Sequence, residues 1–261
     1  MRRAHYKKLF VALVMMAISG FCLQAALAME KNIEDQYLNA LRSANTKARI
    51  VVAKKITHSY IENQEIFAEV ERQLRQGYSN CQDPDFLDLM SWYCKVLASS
   101  GNAKYQPALT QVARNSPCPK LSHYASASIK ELPFQQERNR TLAKSAEWEK
   151  KGVDPHSARI AVLLKSDDFK LQRDGAKMLL RSIHPDLRLY DLVEKNLEKY
   201  ITSDAFRSFD GGGKLVVDTM AWMCKALPAS ANHKYHDTLE TIARDSQSEK
   251  LTRYAREALG Q

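Results

Sequence analysis

The chain has 261 residues, 44% of them hydrophobic and 26% charged, with 39 Lys plus Arg against 30 Asp plus Glu and a formal net charge of +9. Four of those basic residues and no acidic one lie within positions 1–28, which leaves 35 basic against 30 acidic residues beyond them. The remainder is nearly balanced, so nucleic-acid binding loses its main electrostatic support, and about 230 residues are enough to bury a core without metal or dense disulfides.

Residues 1–28 combine Arg2, Arg3, Lys7 and Lys8 with an apolar run from Leu9 to Leu23 and an Ala26-Leu27-Ala28 ending. This is the pattern of a secretory signal peptide, with cleavage expected after Ala28. The apolar run is shorter than the ~20 residues that span a bilayer, so no stable membrane anchor is expected after cleavage. Cys22 follows Phe21 rather than a small residue, which argues against lipid attachment. The expected destination is the periplasm or the extracellular space.

From there the chain reads as all helix, since no period-2 alternation is sustained and the few glycines fall mostly between helical runs. The stretch Asp88 to Glu131 aligns without a gap with Asp218 to Gln261, and 18 of 44 positions are identical. Upstream, Leu41 to Leu74 aligns with Leu164 to Leu197 at an offset of 123 rather than 130, with 9 of 34 identical. The second copy therefore carries a seven-residue insertion, placed in ITSDAFRSFDGGG. Each copy is expected to hold five or six helices of about 10 to 18 residues joined by short turns. The expected organisation is a signal peptide at 1–28, a first helical half at 29–132, a charged connecting helix at 133–155 punctuated by Pro133 and Gly152, and a second half at 156–261.

Matched apolar positions mark the packing stripes. Met90, Cys94 and Leu97 share a helical face, as do Met220, Cys224 and Leu227, while Leu109 answers to Leu239 and Leu121 to Leu251. Cys94 and Cys224 are expected to be core thiols. Cys81 and Cys118 have no counterparts in the second copy and lie in turns two helices apart, where an up-and-down stack brings loops to one edge. In an oxidising compartment they are expected to form a disulfide.

The paired segments KYQPALTQVARNSPCPKLSHYASASIKEL and HKYHDTLETIARDSQSEKLTRYAREALGQ each place a helix, a turn and a second helix ending in Y-A-x-x-A/S-L/I, and these resemble HEAT-type repeats. The resemblance, extended over residues 33–261, implies a right-handed superhelical α-solenoid built from two duplicated multi-helix halves, a fold that serves as a scaffold for proteins or peptides.

Catalytic templates fail one after another. There is no G-x-S-x-G, CxxC or HExxH; Gly211-Gly212-Gly213-Lys214 lacks Walker spacing and a preceding strand and reads as a flexible insertion; His233 and His236 lack a third metal ligand; His58, His123, His156 and His184 are scattered. Glu69 with Glu71 and Glu194 with Glu198 are expected on solvated faces. No cofactor or metal is implied. What recurs in both copies without an obvious packing need is Lys95 with Lys225, Lys104 with Lys234, Tyr105 with Tyr235, Arg114 with Arg244, and Lys120 with Lys250. Either these form a groove for a protein or peptide partner in the cell envelope, or they cap helix ends and persist from a common ancestor. Trp92 and Trp222 are expected to pack between helices. An exported, non-catalytic scaffold follows, with an envelope-modifying enzyme inside a superhelical shell as the alternative; the partner's identity and the oligomeric state lie beyond these residues.

Overall fold

The structure, a computed structural model, describes residues 32–181, 186–208 and 210–261. The predicted signal peptide with Cys22, and His184, lie outside the described residues. Among those described there are helices and turns and no strand, so the chain is all-α. The described residues divide into two compact units, unit 1 ending at Gln136 and unit 2 beginning at Glu137.

In unit 1, α1 covers residues 32–42, followed by α2 (Thr46–His58), α3 (Gln64–Gly77), α4 (Pro84–Ser99) and α5 (Gln106–Asn115), with α6 (Pro119–Ala143) crossing the boundary. Helices α2, α3 and α4 each begin where a short polar side chain accepts from the free N–H groups of the first turn. Asn45 accepts from Ala48 N–H at the start of α2, Asn63 from Glu65 N–H at α3, and Asp83 from Asp85 and Phe86 N–H at α4, where Pro84 supplies a first-turn residue that needs no acceptor. Helix α4 packs against both α2 and α3, and α3 against α5. The stripe Met90, Cys94 and Leu97 is fully buried with Ile56, Val70, Leu74, Leu109 and Leu121. Removing each such aliphatic chain from water stabilises by roughly 1.5–3 kcal/mol.

Unit 2 comprises α7 (Ala146–Glu149), α8 (Pro155–Leu164), α9 (Phe169–Arg181), α10 (Leu187–Ile201), α11 (Asp204–Arg207), α12 (Lys214–Ala226), α13 (His236–Asp245) and α14 (Glu249–Leu259). Its core holds Met220, Cys224, Leu227, Leu239 and Leu251, the positions aligned with the unit 1 stripes, all at most 1% exposed. Caps recur at aligned positions as well: Asp168 accepts at the start of α9, and Asp186 at α10. So does a longer bond. Gln73 Nε2 donates to Leu41 carbonyl at 2.9 Å in unit 1, and Asn196 Nδ2 to Leu164 carbonyl at 2.8 Å in unit 2.

Three sequence expectations change. Pro133 does not punctuate: α6 runs through it. A mid-helix proline costs about 3 kcal/mol because it has no N–H to donate and crowds the preceding turn, but buried Leu132 on one side and buried Arg138 and Leu142 on the other hold the helix in place. The stretch 133–155 is therefore no mere linker, since Trp148 packs on the unit 2 core and Arg138 lies 3.3 Å from Asp174. The glycine insertion is not loose either. Tyr200 Oη donates to Gly211 carbonyl at 3.0 Å, buried Phe206 stacks edge-on against Tyr200, and a Cβ on Gly211 would meet Val217 at 2.6 Å. Glu69 is 9% exposed instead of solvated, held by hydrogen bonds from Arg72 and Gln73.

Cys81 and Cys118 form a disulfide with Cα atoms 5.6 Å apart and a sequence separation of 37. Loop-closure entropy for that span assigns it about 4 kcal/mol. Replacing both cysteines by serine is expected to lower unit 1 stability by about 3–4 kcal/mol, read as an earlier first transition in urea denaturation followed by circular dichroism. The turns after α4 and α12 offer a second check. Gly101 and its aligned residue Ala231 both take positive φ, 61° and 51°, yet only Gly101 sits against backbone, where a Cβ would come within 2.7 Å of Gln136. Gly101→Ala is expected to cost about 2–4 kcal/mol by clash plus strain, whereas Ala231→Gly leaves stability unchanged or raises it by up to about 1 kcal/mol, measured by the same denaturation curves.

Candidate functional site

Trp92 and Lys95 lie one helical turn apart on α4, so the lysine stem crosses the indole face. Lys95 Nζ is 4.0 Å from the Trp92 ring centroid and 4.8 Å from that of Tyr124 on α6, and Lys54 Nζ on α2 is 5.3 Å from the same indole. Unit 2 carries the aligned set. Lys225 Nζ is 3.9 Å from Tyr254 and 5.2 Å from Trp222, and Lys177 Nζ is 5.0 Å from Trp222. In both units two ammonium groups share one half-buried indole. Each cation–π contact contributes about 0.5–1 kcal/mol at exposed sites and up to about 2 when desolvated.

Burial and neighbouring like charge give these lysines an electrostatic cost. Burial pushes the Lys95 ammonium below the usual lysine range, and Lys54 and Lys120 push the same way against Asp88. Burial does the same to Lys177, with Arg173 and Arg181 adding to it and Asp174 and Asp218 opposing. An anionic group placed over either stack would relieve that repulsion while leaving the aromatic contacts intact.

A cleft of about 320 Å³ adjoins the unit 1 stack, lined by Lys95, Ala98, Ser99, Tyr124, Ala127 and Ser128 among others. Its small residues make the room. Unit 2 has Pro228 and Glu257 where unit 1 has Ala98 and Ala127.

The residues singled out by their recurrence divide into groups. Lys95 and Lys225 join the stacks. Tyr105 and Tyr235 do not offer exposed rings, for both are at most 1% exposed; each closes a short 3-10 turn capped by Asn102 or Asn232, just before the next helix, and the ring lies in the core. Tyr235 Oη donates to Asp191 at 2.9 Å, and burial together with that carboxylate raises the phenol well above its usual range. Lys104 donates to Gln64 at 2.6 Å, and Lys234 pairs with Asp191. Lys120 lies 3.4 Å from Asp88, while Lys250 lies 2.7 Å from Asp218, a carboxylate that also takes Arg173 at 2.8 Å. Arg114 and Arg244 occupy the last turns of α5 and α13, where cations suit the helix dipole, and Arg244 pairs with Asp245. Most of the recurrent charges therefore serve the fold. Sequence reasoning missed Lys54 and Lys177, although they are identical at the offset of 123 and both stand on helices that pack against a tryptophan-bearing neighbour.

His233 Nδ1 and His236 Nε2 are 3.2 Å apart, and among the described residues no group of three or more His, Cys, Asp or Glu is placed to hold a metal ion. No described helix is long and apolar enough to cross a membrane. Comparison with protein-family models, with curated proteins and with solved structures returns no match.

Cys94 and Cys224 are free, fully buried thiols, and burial pushes each up to about 12. A thiol raised that far stays protonated throughout the neutral range, and only the thiolate is a nucleophile. Both are expected to resist iodoacetamide at pH 8 in the native protein and to alkylate fully in 6 M guanidinium, as read by intact mass.

Proposed function

We propose that this protein is an exported, non-catalytic helical-repeat scaffold, a HEAT-like solenoid of two duplicated halves, that binds an acidic protein or peptide segment in the cell envelope through its two lysine–tryptophan–lysine–tyrosine stacks. The repeat reading draws support from caps, buried stripes and the Gln73 and Asn196 bonds at aligned positions. The observation that carries the binding reading is the recurrence of one and the same stack in both units, with Lys54, Trp92, Lys95 and Tyr124 answered by Lys177, Trp222, Lys225 and Tyr254. A helix surface needs no such arrangement to stay folded. One lysine on each indole already gains the cation–π contact, and a second brings like charge to the same ring.

Aromatic rings supply rigid contact area at low entropic cost, and the lysines orient an anionic chain and speed its encounter.

The probe is a poly-glutamate peptide titrated into the mature protein, followed by indole emission at low and at physiological salt. Saturable binding that weakens with salt is expected, with affinity falling at least tenfold in the variant Lys54→Ala, Lys95→Ala, Lys177→Ala, Lys225→Ala. Equal binding by that variant and the wild type would remove the stacks from the interface.

A further inference from the structure

Unit 1 has a second polar cleft, of about 350 Å³, lined by Arg42, Ser43, Arg49, Glu69, Arg72 and Gln73 among others. Three guanidinium groups converge there, and two of them have carboxylate partners. Arg72 Nε is 3.1 Å from Glu69, and Arg42 is 2.8 Å from Glu65 and 4.0 Å from Glu69. Arg49 is different. Its Nε donates to Tyr93 Oη at 3.1 Å and its Nη2 to the Gln73 amide oxygen, both neutral groups, and its Nη1 makes no hydrogen bond among the described residues.

Gln73 is itself held from every side. Its amide oxygen also accepts from Tyr93 Oη at 2.9 Å, and its nitrogen donates to Leu41 carbonyl and to Glu69. The Tyr93 ring is fully buried, with the Arg49 guanidinium 5.7 Å from its centroid. Arg49 is thus a preorganised cation: its stem and one edge are locked, while the other end of the fork remains open for a planar or tetrahedral anion. Beside it on the cleft wall, Ser43 Oγ is shielded from solvent and has no hydrogen-bond partner among the described residues.

The other unit separates what the fold needs from what it does not. At the aligned positions unit 2 keeps the amide, as Asn196, with its bond to Leu164 carbonyl. It has Gln172 for Arg49, Leu192 for Glu69, Lys195 for Arg72 and Met223 for Tyr93. Ser166, the counterpart of Ser43, accepts from Asp168 N–H at 3.1 Å and so has a local partner. The helices pack in both cases, so the arginine network of unit 1 is not a requirement of the architecture.

We propose that this cleft is an oxyanion-binding site, in which the open fork of Arg49, supported by Ser43, holds one carboxylate or phosphate group of a ligand. Glu69 does not compete for the fork, being committed to Arg72 and Gln73. The site is distinct from the lysine stacks and does not depend on them.

The test is a titration of the full mature chain with sodium acetate and, separately, sodium phosphate, against sodium chloride at matched ionic strength, following the backbone amides of Ser43 and Gln73 by two-dimensional NMR. A saturable shift with an oxyanion and not with chloride is expected; tighter saturation by acetate assigns a carboxylate ligand, and tighter saturation by phosphate a phosphoryl one. Arg49→Gln, which installs the residue unit 2 already uses, is expected to weaken the midpoint at least tenfold with circular dichroism unchanged. Arg49→Lys keeps the charge and removes the fork, and it carries the same expectation should Arg49→Gln fail to fold. The double variant Lys177→Ala, Lys225→Ala is expected to retain the wild-type midpoint, so the site and the lysine stacks can fail separately. Equal shifts with chloride, or wild-type midpoints in both Arg49 variants, would overturn the proposal.

Discussion

A helix of ten to sixteen residues with a single apolar stripe has too little intrinsic stability to persist alone in water, so each helix of this chain depends on the neighbour that covers its stripe. That dependence organises both units. Helix α4 lies against α2 and α3, and α12 against α9 and α10. The central stripe of each, Met90 with Cys94 and Met220 with Cys224, is sealed from solvent. Turns between such short helices must satisfy the free backbone groups at every end, which accounts for the regular supply of Asn and Asp at helix starts.

The two aligned stretches of the sequence act as an internal control. Residues retained in both and engaged in the same bond serve the architecture, as with the amides of Gln73 and Asn196 or the ion pairs of Lys120 with Asp88 and Lys250 with Asp218. The lysine stacks are also retained in both, and there the cation–π contacts act against the like charge gathered on a half-buried indole. Where the copies part, chemistry is concentrated on one side: the arginine network, the disulfide and the small-residue cleft beside Tyr124 all belong to unit 1. At the aligned position unit 2 has Ser248 where Cys118 stands. The insertion before α12 adds buried Phe206 and the Tyr200 bond to Gly211 there.

Much of the fold was legible in the chain. Apolar spacing and the scarcity of strand signals were enough for an all-helical reading, and loop position together with the export expected from residues 1–28 was enough for the pairing of Cys81 with Cys118. Pro133 was misleading because its local penalty is smaller than the packing on either side of it. The site was far less legible. Tyr105 and Tyr235 look like surface aromatics beside lysines, but a 3-10 turn rotates them inward, and that rotation depends on the cap geometry of Asn102 and Asn232 rather than on periodicity. Lys54 and Lys177 gave a signal only as an identity in the weaker of the two alignments.

The linear pattern by itself determined the helical class, the buried stripes and the caps, because each of these is written in residues fewer than about five positions apart, the range over which a helix repeats. Only the tertiary structure decided which charges meet. Lys54, Trp92 and Tyr124 come from α2, α4 and α6, and Arg49, Gln73 and Tyr93 from α2, α3 and α4. The distances between them are set by helix packing, a long-range property that the spacing along the chain does not encode.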